Sequence, residues 1–489
     1  MSLRSWQVAR AAVPCAALVL LAGCVSGPDY RKPTIELPVT WKVDAPWRES
    51  RPDDATPKGP WWQRFGDAQL DALAQQALAN SPNRALAEAR QAQARAALAA
   101  TSAALLPQLG AGARAARQKI AANRPLSNYA SPNFSTVQND LVLAMSVNYE
   151  FDLAGRVQRS VEGASAALEQ AAADLENTRL LLVTDLATNY FNLRALDIEL
   201  DVVDRAVALQ RRALELVKAR HDLGAATGLD VAQQQALLDT TLVQVDVLKR
   251  QRDQFEHAIA ALVGMPAPGF TLAPDVRMLA PPAVPLGVPS DVLERRPDIA
   301  SAERAMAAAN AQIGVASAAF YPSIALGSSY GVESRSLSTL LDAPSILWSV
   351  GLSATQVLFD NGRLKANVDF ARAGHAAAIA NYRRVVLTAM QEAEDGITGL
   401  AALERASTQA SAAVETTRRV LDMSTARYEG GASGYLDVIV AQQALLASER
   451  QAAQLHGQRL LTSVFLVKAL GGDWQDTSTP STARVIGNQ

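Results

Sequence analysis

Between Leu141 and Asp152 the chain alternates residue by residue. Leu141, Leu143, Met145, Val147, Tyr149 and Phe151 fall on one side, and Val142, Ala144, Ser146, Asn148, Glu150 and Asp152 on a side that turns polar. A period-2 run of about ten residues ending in aromatics predicts a membrane-crossing strand, although a soluble sheet alternates in the same way. Ile324, Leu326, Ser328 and Tyr330 repeat the pattern more weakly opposite Ser323, Ala325, Gly327 and Ser329. The stretches 106–118 and 346–359 complete a set of four. Four strands cannot close a barrel, and open edges are not tolerated in hydrocarbon. Small closed barrels need about eight strands or more, so membrane strands here imply two, three or four chains around one barrel.

A helical period governs most of the rest. Arg156 to Arg220 and Arg363 to Arg427 contain no proline. Each is about 65 residues and would extend on the order of 100 Å as a helix. Leu193, Leu196, Leu200, Val203, Val207, Gln210, Leu214 and Val217 advance by alternating threes and fours. Leu238, Thr241, Val245, Leu248, Arg252, Phe255, Ile259 and Leu262 do the same after an intervening turn. This heptad spacing seats knobs into holes on an antiparallel partner. Helices of that length leave most of their flanks bare in a monomer, and lateral packing into a ring covers them. Shorter alanine-rich helices are predicted at 82–104 and 297–319, each with proline in its first turn.

The pattern is written twice. Ser81-Pro82-Asn83-Arg84-Ala85-Leu86-Ala87-Glu88 returns as Arg296-Pro297-Asp298-Ile299-Ala300-Ser301-Ala302-Glu303, and Leu106-Pro107 as Tyr321-Pro322. Phe151-Asp152-Leu153-Ala154-Gly155-Arg156 returns one residue shorter as Phe359-Asp360-Asn361-Gly362-Arg363. The turn from Leu223 to Val231 matches that from Gly430 to Val438, and Ala261-Leu262-Val263-Gly264 matches Ala469-Leu470-Gly471-Gly472. Five matches in one order mark a duplication. The expected division is a signal segment at 1–23, an anchor and equatorial segment at 24–80, and a first repeat at 81–265. A proline-rich linker at 266–296, a second repeat at 297–472 and a loosely ordered tail at 473–489 complete it.

Composition narrows the setting. The 489 residues carry a formal net charge of −2, which gives no electrostatic reason to expect nucleic acid as a partner. Arg4 and Arg10 precede a short apolar stretch, Ala11 to Leu21, too short to span a bilayer and suited to secretion. Leu21-Ala22-Gly23-Cys24 resembles a bacterial lipobox, in which cleavage precedes the cysteine and its thiol receives diacylglycerol, with a further N-acyl lipid on its amine. Cys15 would leave with the signal, so a disulfide within the mature chain is excluded. Val25 stands where an aspartate would signal inner-membrane retention, and fits export to the outer membrane.

Gly27-Pro28-Asp29-Tyr30, then Trp61-Trp62 with Phe65, Asp67 and Leu70, then Glu294-Arg295-Arg296-Pro297-Asp298-Ile299 form an ordered set. Ala302-Glu303, Ala308-Ala309, Ala311-Gln312-Ile313-Gly314 and Tyr321-Pro322-Ser323 continue it. Together with the architecture, this resembles the TolC family of outer membrane factors, in its lipoprotein branch, over nearly the whole mature chain. The resemblance implies a mainly α fold with membrane β: a homotrimer whose three sets of four strands make a twelve-stranded barrel. A periplasmic α-helical barrel continues below it. The implied partners are a periplasmic membrane fusion protein and an inner-membrane resistance-nodulation-division pump, with outer membrane lipid around the strands. The chain itself would be a passive exit duct without cofactor. The two helix turns would be the periplasmic tips. Arg220, Gly224, Leu229, Arg427, Tyr428, Gly431 and Leu436 would meet the adaptor there, with Asp230 and Asp437 as gate candidates. Arg427 and Tyr428 would hold the closed tip through polar contacts. Ser433 departs from relatives that often carry a charge at that position. Asp230 and Asp437 equally suit plain helix N-termini, where the dipole favours acids.

Other residues read more simply. Trp61 and Trp62 suit core packing better than a stacking surface, and Arg295-Arg296 suit capping and salt bridges beside Pro297. His221, His257, His375 and His456 lack metal-ligand spacing, and no phosphate-cradling glycine loop or nucleophile elbow is present. Catalysis is not expected. Two rivals to an efflux duct are a type I protein-secretion channel, which usually lacks the lipid anchor, and a periplasmic coiled-coil lipoprotein without membrane strands.

Overall fold

A computed structural model describes residues 26–32, 59–121, 136–282 and 296–472. Cys24 and the signal segment, residues 283–295 of the expected linker with Glu294 and Arg295, and the tail from Asp473 lie outside the described residues. Helix α1 (Ala68–Asn80) follows a short 3-10 turn, Trp61–Phe65, and leads into α2 (Pro82–Ser102). Strands β1 (Gln108–Ile120) and β2 (Thr136–Phe151) come next, then helices α3 (Arg156–Asp222) and α4 (Gly228–Leu262). The order repeats as α5 (Pro297–Ala318), β3 (Ser323–Ser334), β4 (Ile346–Thr355), α6 (Arg363–Glu429) and α7 (Tyr435–Ala469). The two long hairpins have helices of 67 and 35 residues in both halves.

The strands depart from their expected limits for identifiable reasons. β1 starts at Gln108 instead of 106, because Ala103–Leu105 winds as a 3-10 turn and Pro107 has no N–H to offer a ladder. β2 begins five residues before Leu141, where Gln138, Asn139 and Asp140 pair with Gln118, Arg117 and Ala116. Backbone pairing there needs no apolar face, so hydropathy did not mark it. β3 runs on to Ser334, pairing with Leu141. β4 stops at Thr355 instead of 359, since its partner β3 begins at Ser323 opposite Thr355.

The chain forms two compact units. The first gathers the described parts of 1–34, 91–171 and 302–382. It holds a single antiparallel sheet in the order β1-β2-β3-β4. Residues Ser26 to Lys32 lie as a strap on α3 and α5. The Arg159 side chain, 5% exposed, reaches the Ser26 carbonyl at 3.2 Å and Asp29 at 2.8 Å. Asn310 Nδ2 donates to the Pro28 carbonyl at 2.9 Å, while Tyr30 and Lys32 both reach Glu303. Gly27 adopts φ +91°, and a Cβ there would lie 2.6 Å from Gly314 Cα. Two glycines are needed at this crossing because two backbones touch. That is the physical content of the Gly27-Pro28-Asp29-Tyr30 segment.

The second unit is built on an aromatic core. Trp61, Phe65, Tyr190, Phe191, Leu70, Ile259 and Val464 are buried together. Burial of each such side chain contributes about 1.5–3 kcal/mol. Trp62 packs against the cluster, so the tryptophan pair serves the core. Asp67 caps α1, its Oδ1 accepting from Gln69 N at 2.9 Å, while its Oδ2 accepts from Tyr190 Oη at 2.7 Å. Most heptad positions of α3 and α4 are buried: Val203, Val217 and Ile259 are fully covered, Gln210 and Thr241 nearly so, while Leu200, Arg252, Phe255 and Leu262 are partly covered. Arg296 bonds Asp298, Glu392 and the Ala469 carbonyl, the salt-bridge role expected beside Pro297.

Charges are buried here as a closed set. Asp197, with no exposed side-chain surface, accepts from Arg194 at 2.7 Å and Arg252 at 2.6 Å, and from Asp275 N at 3.0 Å. Arg252 also donates to the Leu272 carbonyl, and Glu256 accepts from Leu272 N. These bonds pin the proline-rich stretch after Gly264 onto α3 and α4. Removing one member strands the others without water. Asp197→Ala should therefore destabilise this unit by about 3–5 kcal/mol, read as a lowered helical melting temperature. A change below about 1 kcal/mol would show that the cluster is not a structural clamp.

Candidate functional site

The register assigns every strand residue to a face. Met145 opposes Ala111 and Tyr330, and Tyr330 opposes Trp348; Tyr149 opposes Leu326, which opposes Leu352. One face of the whole sheet is thus apolar from edge to edge. Its side chains are uncovered: Trp348 is 72% exposed and Leu352 68%. On β2 this face runs from Leu141 to Phe151, about 34 Å of strand, or about 25 Å when tilted by about 45°. That matches the apolar band of a membrane barrel. A periplasmic coiled-coil tether has no use for such a face.

The opposite face is small and polar. Gly110, Gly112, Ala144, Ser146, Gly327 and Gly351 alternate with the apolar set. The Ser329 and Ser349 hydroxyls meet at 2.8 Å, and Arg114 pairs with Asp140 at 2.6 Å. Glu150 pairs with Arg156 at 2.7 Å. Small residues leave free cross-section and polar ones favour water. β1 and β4 are the two edges of the sheet, each with one ladder unpaired among the described residues. They run antiparallel to one another, so β4 of one copy can pair with β1 of the next and continue the alternation.

The two long hairpins end in turns of matching geometry. Gly224 at φ +77° and Gly431 at φ +75° close them, with Ala225 N donating to the Arg220 carbonyl and Ala432 N to the Arg427 carbonyl, both at 2.8 Å. The helices that follow start differently. Thr227 and Asp230 make a full capping box at α4: Asp230 N donates to Thr227 Oγ1, and Thr227 N donates to the Asp230 carboxylate at 2.9 Å. Asp230 is thereby engaged in capping. At α7 the cap is Gly434, which has no side chain to offer, and the exposed Asp437 carboxylate makes no hydrogen bond among the described residues.

The turns meet through rings. The Arg220 guanidinium lies 4.9 Å from the Tyr428 ring centroid, and Tyr428 stands edge-on to Tyr435 at 4.9 Å. Within one copy, Tyr428 thus joins the hairpins by its ring. Arg427 is exposed, and only its backbone carbonyl is engaged in the turn. Tyr435 is buried and donates to Gln234 Oε1 at 2.7 Å; Gln234 Nε2 in turn donates to the Gln210 carbonyl. Burial first, then the neighbouring Tyr428 and Asp230, push the Tyr435 phenol above its ordinary pKa, so it remains a donor. Leu229 and Leu436, at equivalent places, point outward and are more than half exposed, with Leu223 beside the first. Tyr435 and Gln234 were not anticipated. A lone aromatic after a glycine-rich turn was the available signal for Tyr435.

Among the described residues no group of His, Cys, Asp or Glu is placed to hold a metal ion, and no helix is long and apolar enough to cross a membrane. His456 is buried in α7, and burial, aided by Arg459, holds its pKa below the ordinary value. His221 Nδ1 lies 3.0 Å from the Ala226 carbonyl oxygen and braces the first turn.

Comparison with known proteins agrees with this geometry. The family model described as outer membrane efflux protein matches residues 73–265 and again 288–472. The pyoverdine export outer membrane protein OpmQ of Pseudomonas aeruginosa is 32% identical over 460 residues, 94% of this chain and 96% of its own length. The toluene efflux pump outer membrane protein TtgF of Pseudomonas putida is 31% identical, over 95% and 98% respectively. The solved outer-membrane channel OprN superposes with a TM-score of 0.84 at 28% identity, over 92% of this chain and 100% of its own. The outer membrane protein VceC of Vibrio cholerae superposes at 0.78, with 28% identity over 86% and 100%.

The unequal caps make the two turns mechanically different. Thr227→Ala should cost the first turn about 1 kcal/mol and speed amide exchange at residues 228–231. Gly434→Thr, which supplies Asp437 with a capping partner, should slow exchange at 435–438. Equal exchange at both turns in the unsubstituted protein would contradict the asymmetry.

Proposed function

The chain belongs to the outer membrane efflux protein family, and from this we propose that three copies close one barrel in the outer membrane and serve as the exit duct of a tripartite efflux system. The observation that carries the reading is the four-stranded sheet, apolar on one face, polar on the other, and open at both edges. Three copies supply twelve strands, β4 of each against β1 of the next. The apolar face turns to lipid and the polar face to a water-filled lumen. Cys24, two residues before the strap begins at Ser26, carries the lipid that fastens each copy to the membrane.

The helical hairpins reach into the periplasm, where Leu223, Leu229 and Leu436 offer apolar knobs to a membrane fusion protein. That adaptor joins the duct to an inner-membrane pump of the resistance-nodulation-division type. Arg220 on Tyr428 holds the two hairpins of one copy together. Asp437, unengaged in capping, faces its copies across the tunnel mouth and favours cations; Asp230 is taken up by its cap. The chain does no chemistry, since its work is passage and the driving force belongs to the pump. The relatives are named for cargoes as different as pyoverdine and toluene. That range fits a duct that passes small molecules chosen elsewhere.

Purified protein in detergent should migrate unheated as a trimer, collapse to monomer on boiling, and conduct in planar bilayers. Asp437→Ala should lower cation preference without abolishing conductance, and unchanged selectivity would remove Asp437 from the gate. A monomer in lipid with no conductance would overturn the reading as a whole.

A further inference from the structure

The charges on the sheet are segregated. Among the described residues, every acidic side chain of the strands (Asp140, Glu150 and Glu333) lies on the small, polar face. The apolar face carries two charges only, Arg117 and Lys119, both positive and both on β1. They share that face with Ala115 and Ala113, and they pair in register with Asn139 and Val137, one and two rows beyond Leu141. Both are exposed, and neither forms an ion pair among the described residues. Arg114, the basic residue on the other face, is already neutralised by Asp140.

The position of this pair is as specific as its sign. All helices join the sheet at one end: α2 before Gln108, α3 after Phe151, α5 before Ser323 and α6 after Thr355. Arg117 and Lys119 stand at the other end, past Leu141, where only Val137 opposite Lys119 continues the apolar set on β2. Given the orientation proposed above, on which this inference rests, that is the outer-leaflet boundary, and the two side chains face lipid there. Basic groups at a lipid boundary seek anionic head groups. A guanidinium can hold a phosphate by two parallel bonds, and an ammonium about 7 Å along the same face adds a second point of charge.

We propose that Arg117 and Lys119 form a phosphate-binding rim that docks each subunit onto the phosphorylated glycolipid of the outer leaflet. The partner is a lipid carrying closely spaced phosphates on a sugar head group. Three copies would place three such pairs around the barrel. The rim would set the depth of the barrel in the membrane from the outer side, as the strap and lipid anchor set it from the inner side.

The test uses full-length trimer in detergent, with heat dissociation followed as diphosphoryl lipid A is added. Lipid A should raise the dissociation temperature by several degrees, and lipid A stripped of its phosphates should not. The double substitution Arg117→Gln, Lys119→Gln should weaken lipid A binding about tenfold or more. Arg114→Gln on the lumen face should leave it intact. An equal response to dephosphorylated lipid A, or an undiminished response in the double variant, would overturn the rim. An equal response to phosphatidylglycerol would overturn the glycolipid as its partner. Conductance of the same sample separates the two readings. Conducting trimers without lipid A dependence refute the rim alone, whereas a monomer that does not conduct refutes the channel.

Discussion

A sheet edge presents a row of N–H and C=O groups that hydrocarbon cannot satisfy, and that penalty organises this protein. Among the described residues β1 and β4 have an unpaired ladder each, and the face between them is apolar from Leu109 across to Leu352. Water rejects the face and lipid rejects the edges. Pairing of β4 with β1 of another copy satisfies both demands, because the strands already alternate in direction and the apolar side can stay outward throughout. Oligomerisation is therefore a condition of membrane insertion, not an addition to a finished subunit.

The helical part answers a different demand, that of register. Long helices with alanine-rich flanks could slide past one another, and polar layers prevent it. Glu199, largely buried, accepts from Arg450 at 2.6 Å and from Gln454 at 3.0 Å, while Arg450 also reaches Gln244. Nearer the turns, Gln210, Gln234 and Tyr435 form a second layer. Each layer ties helices of the first hairpin to α7 of the second. A slip of one heptad would leave several buried polar groups without partners. The turns beyond these layers both close through a glycine, and the helices after them are free to start differently, one with a side-chain cap and the other without.

The buried ionic cluster and the strap show the same economy at other places. Asp197 draws Arg194, Arg252 and the backbone near Asp275 into one closed set, so a proline-rich stretch without regular structure is still held. Arg159 does likewise for Ser26, Gly27 and Asp29. In both cases carboxylates and backbone carbonyls share the buried guanidinium charge, as burial of an ion requires, and of these guanidinium nitrogens Arg194 Nε alone is left without a partner among the described residues.

Local pattern was enough to read the alternation of β2, the proline-free helices, the heptads and the duplication, because each is a period in the chain itself. It also placed both turns, since a helix reversal needs a glycine at positive φ and the sequence has one at Gly224 and at Gly431. The limits of β2 and β4 were not legible: a strand ends where its partner ends, and the partner lies elsewhere in the chain. The same reason hid the ring contact of Tyr428 with Arg220 and Tyr435, which come from other helices. Asp230 and Asp437 occupy equivalent places in the repeat, and the sequence separates them only by the threonine or glycine three residues before. What only the folded chain decided is that the Thr227 hydroxyl and the Asp230 carboxylate close on each other's backbone N–H, while Asp437 meets no donor among the described residues, because a cap forms only once the helix start has its geometry.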